Sequence, residues 1–208
     1  MMSLIDYDPS LNILPFDGEV NYFGAVLSHQ DTENYLKCLL DTVHWKNDQA
    51  VICGKRITTK RKVAWYGDGN YAYTYSNVTK HALAWTEELL ILKTTVEKLT
   101  DTKYNACLLN LYHDGDEGVS WHSDDEKALG TNPIIASLTL GAERKFSLKH
   151  KTNKQTVSLS LENGSLFVMK GSTQKNWVHC LPKMKGITQP RINLTFRMYR
   201  YLEKPLAY

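Results

Sequence analysis

The sequence predicts a single domain of the α+β class, mainly β, in which two helices precede a jelly roll. Apolar residues recur at helical spacing in two early segments, whereas from Asn105 onward short apolar runs alternate with turn residues at roughly regular intervals. About eight short strands at such spacing are typical of a sandwich or barrel, and a jelly roll is the natural closed form. With 208 residues, 42% of them hydrophobic, the chain has enough apolar material for one core.

The two helices are predicted to support the sheet from the N-terminal side. After an N-terminal extension, residues 1–44 contain a helix that opens near Ser28, with Asp31 as a weak capping box. Its inward stripe comprises Leu36, Leu39, Leu40 and Val43. The second helix is predicted over residues 80–99, with the inward positions Trp85, Leu89, Leu92, Val96 and Leu99.

The strands are predicted within a jelly-roll core at residues 105–200. They cover residues 106–112, 118–121, 134–140, 145–150, 156–161, 165–169, 176–181 and 191–199. The preceding region, 45–78, mixes basic and aromatic residues around Gly67-Asp68-Gly69-Asn70, and we expect it to form a hairpin or loop outside the core.

Composition excludes several classes of protein. No run of 18 uncharged apolar residues occurs, and the acidic N-terminus is unlike a signal peptide, so we expect no membrane association. The four cysteines are far apart and contain no Cys-x-x-Cys pair, which disfavours a zinc knuckle or disulfide scaffold and suits a reducing compartment. We therefore expect an intracellular protein of the cytoplasm or nucleus. A net charge of +3 does not by itself indicate a polyanionic partner.

Two His-x-Asp triplets are candidates for metal binding. His29-Gln30-Asp31 lies at the start of the first helix, where capping explains the aspartate better than metal binding does. His122-Ser123-Asp124 follows a predicted strand, and on an extended backbone residues i and i+2 point to the same face. The second triplet is therefore the stronger candidate. The adjacent Trp121 is interpreted as a core residue.

A third ligand is expected from another strand. His179 lies in the penultimate predicted strand; its alternative role is a hydrogen-bonded core histidine. Two imidazoles and one carboxylate on one face would leave three octahedral positions open, as in the facial triad of non-haem Fe(II) oxygenases.

The last strand favours the metal interpretation. Its residues alternate strictly, with Ile192, Leu194 and Phe196 on one face. The other face carries the hydrogen-bonding residues Arg191, Asn193, Thr195 and Arg197. If that face points inward, its two guanidiniums need anions, and a small dicarboxylate fits this requirement. Asn110 and Tyr112 form a second polar face; either set could instead be a solvated sheet face.

Taken in chain order, these residues resemble the AlkB family of iron(II)- and 2-oxoglutarate-dependent dioxygenases. The resemblance covers roughly residues 45–200 and rests on Asn110-x-Tyr112, His122-x-Asp124, His179 and Arg191-x-Asn193-x-Thr195-x-Arg197. Three further segments are similar to the branch that repairs alkylated nucleic acid: Tyr66-Gly67-Asp68, Tyr73-Thr74-Tyr75-Ser76 and His122-Ser123-Asp124-Asp125-Glu126. The family fold is a double-stranded β-helix, which agrees with the predicted jelly roll.

The resemblance implies a role for each matching residue. Catalysis would depend on an iron ion held by His122, Asp124 and His179. Arg191 would clamp the distal carboxylate of 2-oxoglutarate with help from Tyr112, Asn193 and Thr195. Asn110 and Arg197 would act near the carboxylate next to the metal. A flipped base would stack on Tyr75, with Tyr73 as the next candidate, and Asp125 would contact the damaged base.

The implied reaction is oxidative demethylation of bases such as 1-methyladenine and 3-methylcytosine in DNA or RNA. It uses Fe(II), 2-oxoglutarate and O2, with ascorbate as the reductant in vitro, and releases formaldehyde, succinate and CO2. Two alternatives remain: a 2-oxoglutarate oxygenase acting on transfer RNA or protein, and a nucleic-acid-binding module without catalysis. The enzyme is expected to be a monomer.

Basic segments supply candidate contacts to the substrate. The run from Lys55 to Lys62 has five positive residues in eight, and we select Lys55 and Arg61 as phosphate contacts within the substrate-binding region 45–78. The Lys-rich segment at 144–154 could equally be a solvated hairpin. Relatives that repair duplex DNA carry an aromatic wedge where this chain has Ile52-Cys53-Gly54-Lys55. Single-stranded substrates are therefore at least as well suited as duplexes.

Overall fold

Two antiparallel sheets form the core of the computed structural model. The structure describes residues 7–52, 55–69, 72–75 and 78–200. At residues 50–52, 55–56, 72–75 and 78–81 it describes the backbone alone. The larger sheet has the strand order β1-β11-β8-β13-β6-β3-β2, and the smaller has the order β10-β9-β12-β7. A separate hairpin consists of β4 and β5. The predicted α+β, mainly β jelly roll is confirmed.

The strands are β1 (Glu19–Ala25), β2 (Lys46–Ile52), β3 (Lys55–Gly67), β4 (Ala72–Tyr75), β5 (Val78–His81), β6 (Ala106–Tyr112), β7 (Val119–His122), β8 (Ile135–Gly141), β9 (Arg144–His150), β10 (Thr156–Leu161), β11 (Ser165–Lys170), β12 (Trp177–Leu181) and β13 (Arg191–Arg197). The helices are α1 (His29–Thr42), α2 (Glu87–Thr100) and the short α3 (Thr173–Asn176), with a 3-10 turn at Lys127–Leu129. In the described part of the chain, none of these helices has the length and apolarity needed to cross a membrane.

The core consists of two apolar layers on opposite faces of the larger sheet. In one layer, Leu39 of α1 and Leu92 of α2 pack against strand residues such as Leu138 and Leu194. The other layer lies between the sheets and joins Phe167 of the larger sheet to Leu148 and Trp177 of the smaller one. The order of layers is therefore helices, larger sheet, smaller sheet, which leaves a space between the two sheets for the site.

Strand β13 shows how this layering sorts the side chains. Ile192, Leu194 and Phe196 are fully buried in the layer shared with the helices. Because neighbouring strand residues point to opposite faces, the alternate residues face the space between the sheets. These are Arg191, Asn193, Thr195 and Arg197, all of which line the cavity there. The predicted inward polar face is confirmed.

Helix α1 begins as predicted, whereas α2 begins later than predicted. The Ser28 hydroxyl caps α1 by accepting from the Asp31 backbone N–H at 3.1 Å. The prediction that the second helix starts at residue 80 is wrong: it begins at Glu87, because residues 78–81 pair with β4 and Thr86 supplies the N-cap. The prediction that Leu99 points inward is also wrong, since this residue is exposed at the end of the helix.

Two segments belong to the larger sheet although the sequence analysis left them outside the core. The region 45–78 contains the predicted hairpin, but the second half of β3 pairs with β6 and buries Val63, Ala64, Trp65 and Tyr66. Strand β1, within the predicted N-terminal extension, pairs with β11 at the sheet edge. Both pairings join segments that are far apart in sequence, which local patterns do not reveal.

Candidate active site

His122, Asp124 and His179 come together at one point between the sheets. Strands β7 and β12 pair with His122 directly opposite His179, and the two imidazole centroids are 4.3 Å apart. One ligand atom from each of the three residues lies within 4.8 Å of the others. His29 is far more exposed and stands beside Glu33 on α1, as the capping interpretation predicts. The second triplet and His179 therefore form the predicted cluster.

Neighbouring groups orient the ring of His122 and keep His179 neutral. His122 Nδ1 lies 2.8 Å from the Ser120 carbonyl oxygen, which can only accept, so Nδ1 donates this hydrogen bond and Nε2 is the nitrogen directed toward Asp124. Burial, reinforced by the charge of His122, lowers the pKa of His179 to about 3. His179 therefore remains neutral at physiological pH, which is the form that binds metal.

The two oxygens of the Asp124 carboxylate have different neighbours, a guanidinium and a histidine. Its Oδ2 accepts from Arg197 Nη2 at 2.7 Å, while Oδ1 lies 3.9 Å from His122 Nε2. Burial raises the pKa of Asp124, but the charge of Arg197, joined by those of His179 and His122 when these imidazoles are protonated, outweighs this effect and holds the pKa below its usual value. The Gln174 side chain accepts from the Asp124 backbone N–H and holds the segment in place. Asp124 thus presents one oxygen to a metal.

Arg191 is a buried guanidinium beside this cluster. It is 2% exposed, and Nη2 donates to Thr139 Oγ1 at 2.9 Å and to Asn193 Oδ1 at 3.0 Å. Its Nε has no partner, and among the described residues no carboxylate lies within 4 Å of it. Burial lowers the pKa of Arg191 to about 10, although the nearby Tyr112 opposes the shift. Such a group requires an anionic ligand, which a 2-oxoglutarate carboxylate would supply.

The remaining predicted 2-oxoglutarate residues surround Arg191. Asn193 Oδ1 accepts from Ser137 as well as Arg191, and its Nδ2 donates to Thr195 Oγ1 at 2.7 Å. Asn110 is directly opposite Asn193 across the β6–β13 pair, and the Tyr112 ring centroid lies 5.5 Å from the Arg191 guanidinium. All of these side chains line one cavity of about 110 Å³ together with the three candidate metal ligands.

Arg144 is a functional-site residue that the sequence analysis did not identify. Fully buried at the start of β9, it donates to the carbonyl oxygens of Asp114, Glu117 and Pro182 at 2.7–3.1 Å. Its guanidinium lies 5.9 Å from the Tyr112 ring, so Tyr112 contacts Arg144 as well as Arg191. The sequence signal was weak because a single arginine at the start of a Lys-rich strand resembles a solvated edge.

The structure changes the assignment of the predicted substrate contacts. Arg61 was predicted to contact phosphate from the surface, but its guanidinium is mostly buried on the cavity wall, where it forms an ion pair with Asp48. Asp125 is exposed and is absent from the cavity lining, whereas the adjacent Glu126 lines it. Arg61 lies on the cavity wall because β3 belongs to the larger sheet, whereas the contact of Asp125 with the damaged base stays a prediction. The side chains of Lys55, Tyr73 and Tyr75 lie outside the described residues.

A model of the 2OG-Fe(II) oxygenase superfamily matches residues 19–197. The Bos taurus protein "Alpha-ketoglutarate-dependent dioxygenase alkB homolog 3" is 38% identical over 178 residues, which are 81% of this chain and 62% of that protein. The Homo sapiens "DNA oxidative demethylase ALKBH2" is 36% identical over 154 residues, which are 70% of this chain and 59% of that protein. The chain thus spans about three fifths of the length of these relatives.

A solved structure supports the fold. The chain described as "The structure of OsALKBH1" superposes with a TM-score of 0.64 at 17% identity, covering 86% of this chain and 97% of that one. The superfamily is named for 2-oxoglutarate and Fe(II), and both fit here: the triad offers nitrogen and oxygen ligands, and Arg191 lacks a carboxylate partner among the described residues. Because the matched region spans both sheets and every residue of the triad, the chain belongs to the 2OG-Fe(II) oxygenase superfamily and, within it, to the AlkB family.

Proposed function

We propose that this protein is an Fe(II)- and 2-oxoglutarate-dependent dioxygenase that removes alkyl groups from N-alkylated bases of nucleic acid. The observation that carries the proposal is the position of Arg191, a buried guanidinium that shares one cavity with His122, Asp124 and His179. The nucleic-acid substrate is supported by the names of the relatives, one of which is a DNA oxidative demethylase. The expected bases are those that carry the alkyl group on the pairing edge, such as 1-methyladenine and 3-methylcytosine.

In this proposal His122, Asp124 and His179 hold Fe(II), while Arg191 holds the distal carboxylate of 2-oxoglutarate. When bound, iron and 2-oxoglutarate together supply the activation of O2 that oxidises the alkyl carbon, with release of formaldehyde, succinate and CO2. The chain contributes position and charge. Asn193 and Thr139 hold the Arg191 fork in one orientation, and Arg197 occupies the second oxygen of Asp124.

Apolar side chains from both sheets line part of the site. Phe146 stacks on His179 with ring centroids 5.4 Å apart, and Met169 and Leu181 complete the apolar side of the cavity. The cavity lining also contains the polar side chains of Asp48, Arg61 and Glu126. We place the target base beside Glu126, because 1-methyladenine and 3-methylcytosine carry a positive charge that its carboxylate can offset.

Single-stranded DNA or RNA is the preferred form of substrate in this proposal. Alkylation of the pairing edge already weakens the base pair, so extrusion costs only a few kcal/mol. The Ile52-Cys53-Gly54-Lys55 segment offers no aromatic wedge for opening an intact duplex. Action as a monomer, in the cytoplasm or nucleus where nucleic acid is found, is part of the same proposal.

The direct test is turnover of oligonucleotides that carry one 1-methyladenine or one 3-methylcytosine. The substrates are single- and double-stranded DNA and RNA, supplied with Fe(II), ascorbate, 2-oxoglutarate and O2; loss of the methyl group is followed by mass spectrometry and formaldehyde release. The wild type should demethylate at least one substrate, whereas His179→Ala should not. If wild type and His179→Ala behave alike on every nucleic acid, the proposed substrate is wrong. Activity on transfer RNA or protein alone would favour the alternative oxygenase.

A non-catalytic binding module is tested separately. Fe(II) and 2-oxoglutarate added to the protein without oxygen should give a metal-to-ligand charge-transfer absorption band. If no band forms, the protein does not assemble the cofactor pair, and the binding-module alternative is favoured.

A further inference from the structure

Trp121 is an exposed aromatic residue at the edge of the smaller sheet. The core role predicted for it is wrong, since 41% of its surface is accessible to solvent. It lies on β7, which is an edge strand, and alternation along that strand places its side chain on the face opposite to His122. Trp121 therefore points to the outer face of the smaller sheet, away from the candidate metal ligands.

Basic side chains lie on the same outer face. Lys149 of β9 places Nζ 4.1 Å from the centroid of the Trp121 ring, reaching across β12. Lys145 is two pleats away on β9 and is exposed. The charges of Lys149 and Lys145 both act to lower the pKa of the Cys180 thiol, which burial raises. This effect supports placing both ammonium groups on the Cys180 side of the sheet.

These lysines are not neutralised by acidic partners. Across the residues whose side chains the structure describes, no carboxylate lies within 4 Å of the Lys145 or Lys149 ammonium group. Glu143 lies at the Lys145 end of this strand pair, where it accepts from Ser160, the residue opposite Lys145, and does not form an ion pair with either lysine. An exposed aromatic ring flanked by ammonium groups matches the two parts of a single nucleic-acid strand, which are stacking bases and phosphates.

The outer face is also continuous with the entrance to the candidate active site. Trp121 precedes His122, whose side chain is 33% exposed, and Ser123 lines the cavity. A strand that delivers one base into the cavity can pass along the β7 edge, because this edge has no further strand beside it in the described residues. The nucleotides on one side of the target base would then reach Trp121.

We propose that Trp121, Lys149 and Lys145 form a binding surface for the single strand that flanks the target nucleotide. An unpaired base stacks on the free face of the indole, and the two ammonium groups contact adjacent phosphates. This inference rests on the proposed function, because it assigns the surface to the same nucleic-acid substrate. It predicts that oligonucleotides long enough to cross the β7 edge bind more tightly than a minimal substrate.

The test separates the outer surface from the catalytic centre. Trp121→Leu keeps apolar bulk on the sheet but removes the aromatic face, and Trp121→Phe restores an aromatic face. The matched control is Leu90→Ala, which alters an equally exposed apolar residue, 44% accessible, on α2. Binding of an unmodified fluorescent 15-nucleotide DNA strand is measured by anisotropy. Turnover is measured on a 15-nucleotide strand and on a dinucleotide, each of which carries one 1-methyladenine.

The proposal predicts that Trp121→Leu weakens binding of the 15-nucleotide strand on the order of tenfold, whereas Trp121→Phe and Leu90→Ala change it less than twofold. Lys149→Gln should reduce the slope of log affinity against log salt concentration by about 0.7. The KM for the dinucleotide should not change. Equal affinities of Trp121→Leu and Leu90→Ala for the long strand would overturn the proposal and favour a protein partner for this face. Because binding uses an unmodified strand, this failure is distinguishable from an absence of demethylation.

Discussion

Arg197 donates to Asp124 Oδ2 at 2.7 Å, and both residues are almost completely buried. This pair joins the last strand of the larger sheet to the segment that follows β7 of the smaller sheet. It reserves one oxygen of the aspartate for the guanidinium and leaves the other for a metal. The arrangement also places a permanent positive charge next to the candidate metal ligands, which keeps the carboxylate ionised when no metal is bound.

Replacing Arg197 should therefore destabilise the protein and weaken metal binding together. Arg197→Met leaves the Asp124 carboxylate buried without its partner, and loss of one member of a buried pair costs about 3–5 kcal/mol. Arg197→Lys, which keeps the charge, should lose less. Urea unfolding at pH 7 and titration with Fe(II) under nitrogen measure the two effects. If Arg197→Met unfolds at the same urea concentration as the wild type, the pair does not stabilise the fold.

Acid should destabilise the metal-free protein through His179. Because the pKa of buried His179 is about 3, compared with about 6.5 in the unfolded chain, the unfolded state binds more protons between these values. Stability is therefore complete above pH 6.5 and decreases as pH falls toward 3. If half of the shift is realised, the loss between pH 7 and pH 4 is about 2 kcal/mol, at about 1.36 kcal/mol per pKa unit.

Urea unfolding with a chelator present, measured from pH 7 to pH 4, tests this expectation. His179→Gln removes the titrating group, so its stability should depend less steeply on pH than that of the wild type. The carboxyl of Asp124, whose pKa is lowered, contributes in the same direction, but its contribution is lost at lower pH. His29→Gln, an exposed histidine variant, should leave the profile unchanged. Equal slopes for wild type and His179→Gln would contradict the assignment.

The metal ligands and the polar face of the last strand could be predicted because both depend on strict two-residue alternation. Arg191 and Arg197 share one face with Asn193, and this periodicity stays readable once the strand is recognised. His179 was selected because a third ligand was expected from another strand, and the resemblance to the AlkB family implied its role. Local alternation thus identifies which side chains share a face, and the chemistry of the residue types indicates what that face binds.

The contribution of Asp48 and Arg61 to the cavity lining could not be predicted in the same way. Asp48 and Arg61 meet through the irregular pairing of β2 with β3, and β3 joins the sheet only by pairing with β6, some 40 residues later in the chain. The position of Glu126 on the cavity lining could not be predicted either, because residues 124–126 lie beyond the end of β7, where strand alternation no longer applies. Such positions depend on long-range pairing and on turn geometry, neither of which has a local signature here.

Arg191 should control the affinity for 2-oxoglutarate more than the rate of the later steps. Arg191→Lys keeps the charge but loses the bidentate hydrogen bonding of the guanidinium to a carboxylate. Each charge-assisted hydrogen bond contributes about 1.5–3 kcal/mol to binding. The KM for 2-oxoglutarate should rise by about tenfold or more, with a smaller change in kcat. Succinate formation at varied 2-oxoglutarate concentrations measures both constants. Lys98→Ala, an exposed position on α2, serves as the control. An unchanged KM would exclude Arg191 as the carboxylate clamp.

Arg144 should affect the fold and the 2-oxoglutarate site at once. Its guanidinium donates to three carbonyl oxygens and contacts Tyr112. Arg144→Met leaves those oxygens without their donor, which should lower the free energy of unfolding by about 3 kcal/mol. Displacement of Tyr112 should also raise the KM for 2-oxoglutarate several-fold. Thermal unfolding and the same succinate assay report on the two effects. A variant that is destabilised but binds 2-oxoglutarate normally would limit Arg144 to holding the loops together.

The proposed base contact of Glu126 and the predicted base contact of Asp125 are separated by a pair of adjacent variants. Glu126→Gln removes a carboxylate from the cavity wall, whereas Asp125→Asn removes one from the exposed surface. Because 1-methyladenine and 3-methylcytosine are cationic, Glu126→Gln should raise the KM for the methylated strand by about three- to tenfold, as expected for about 1 kcal/mol of lost interaction. Asp125→Asn should change it by less than twofold. The two variants carry the same net charge, so long-range attraction to the substrate is matched, and a larger effect of Asp125→Asn would return the contact to the exposed residue.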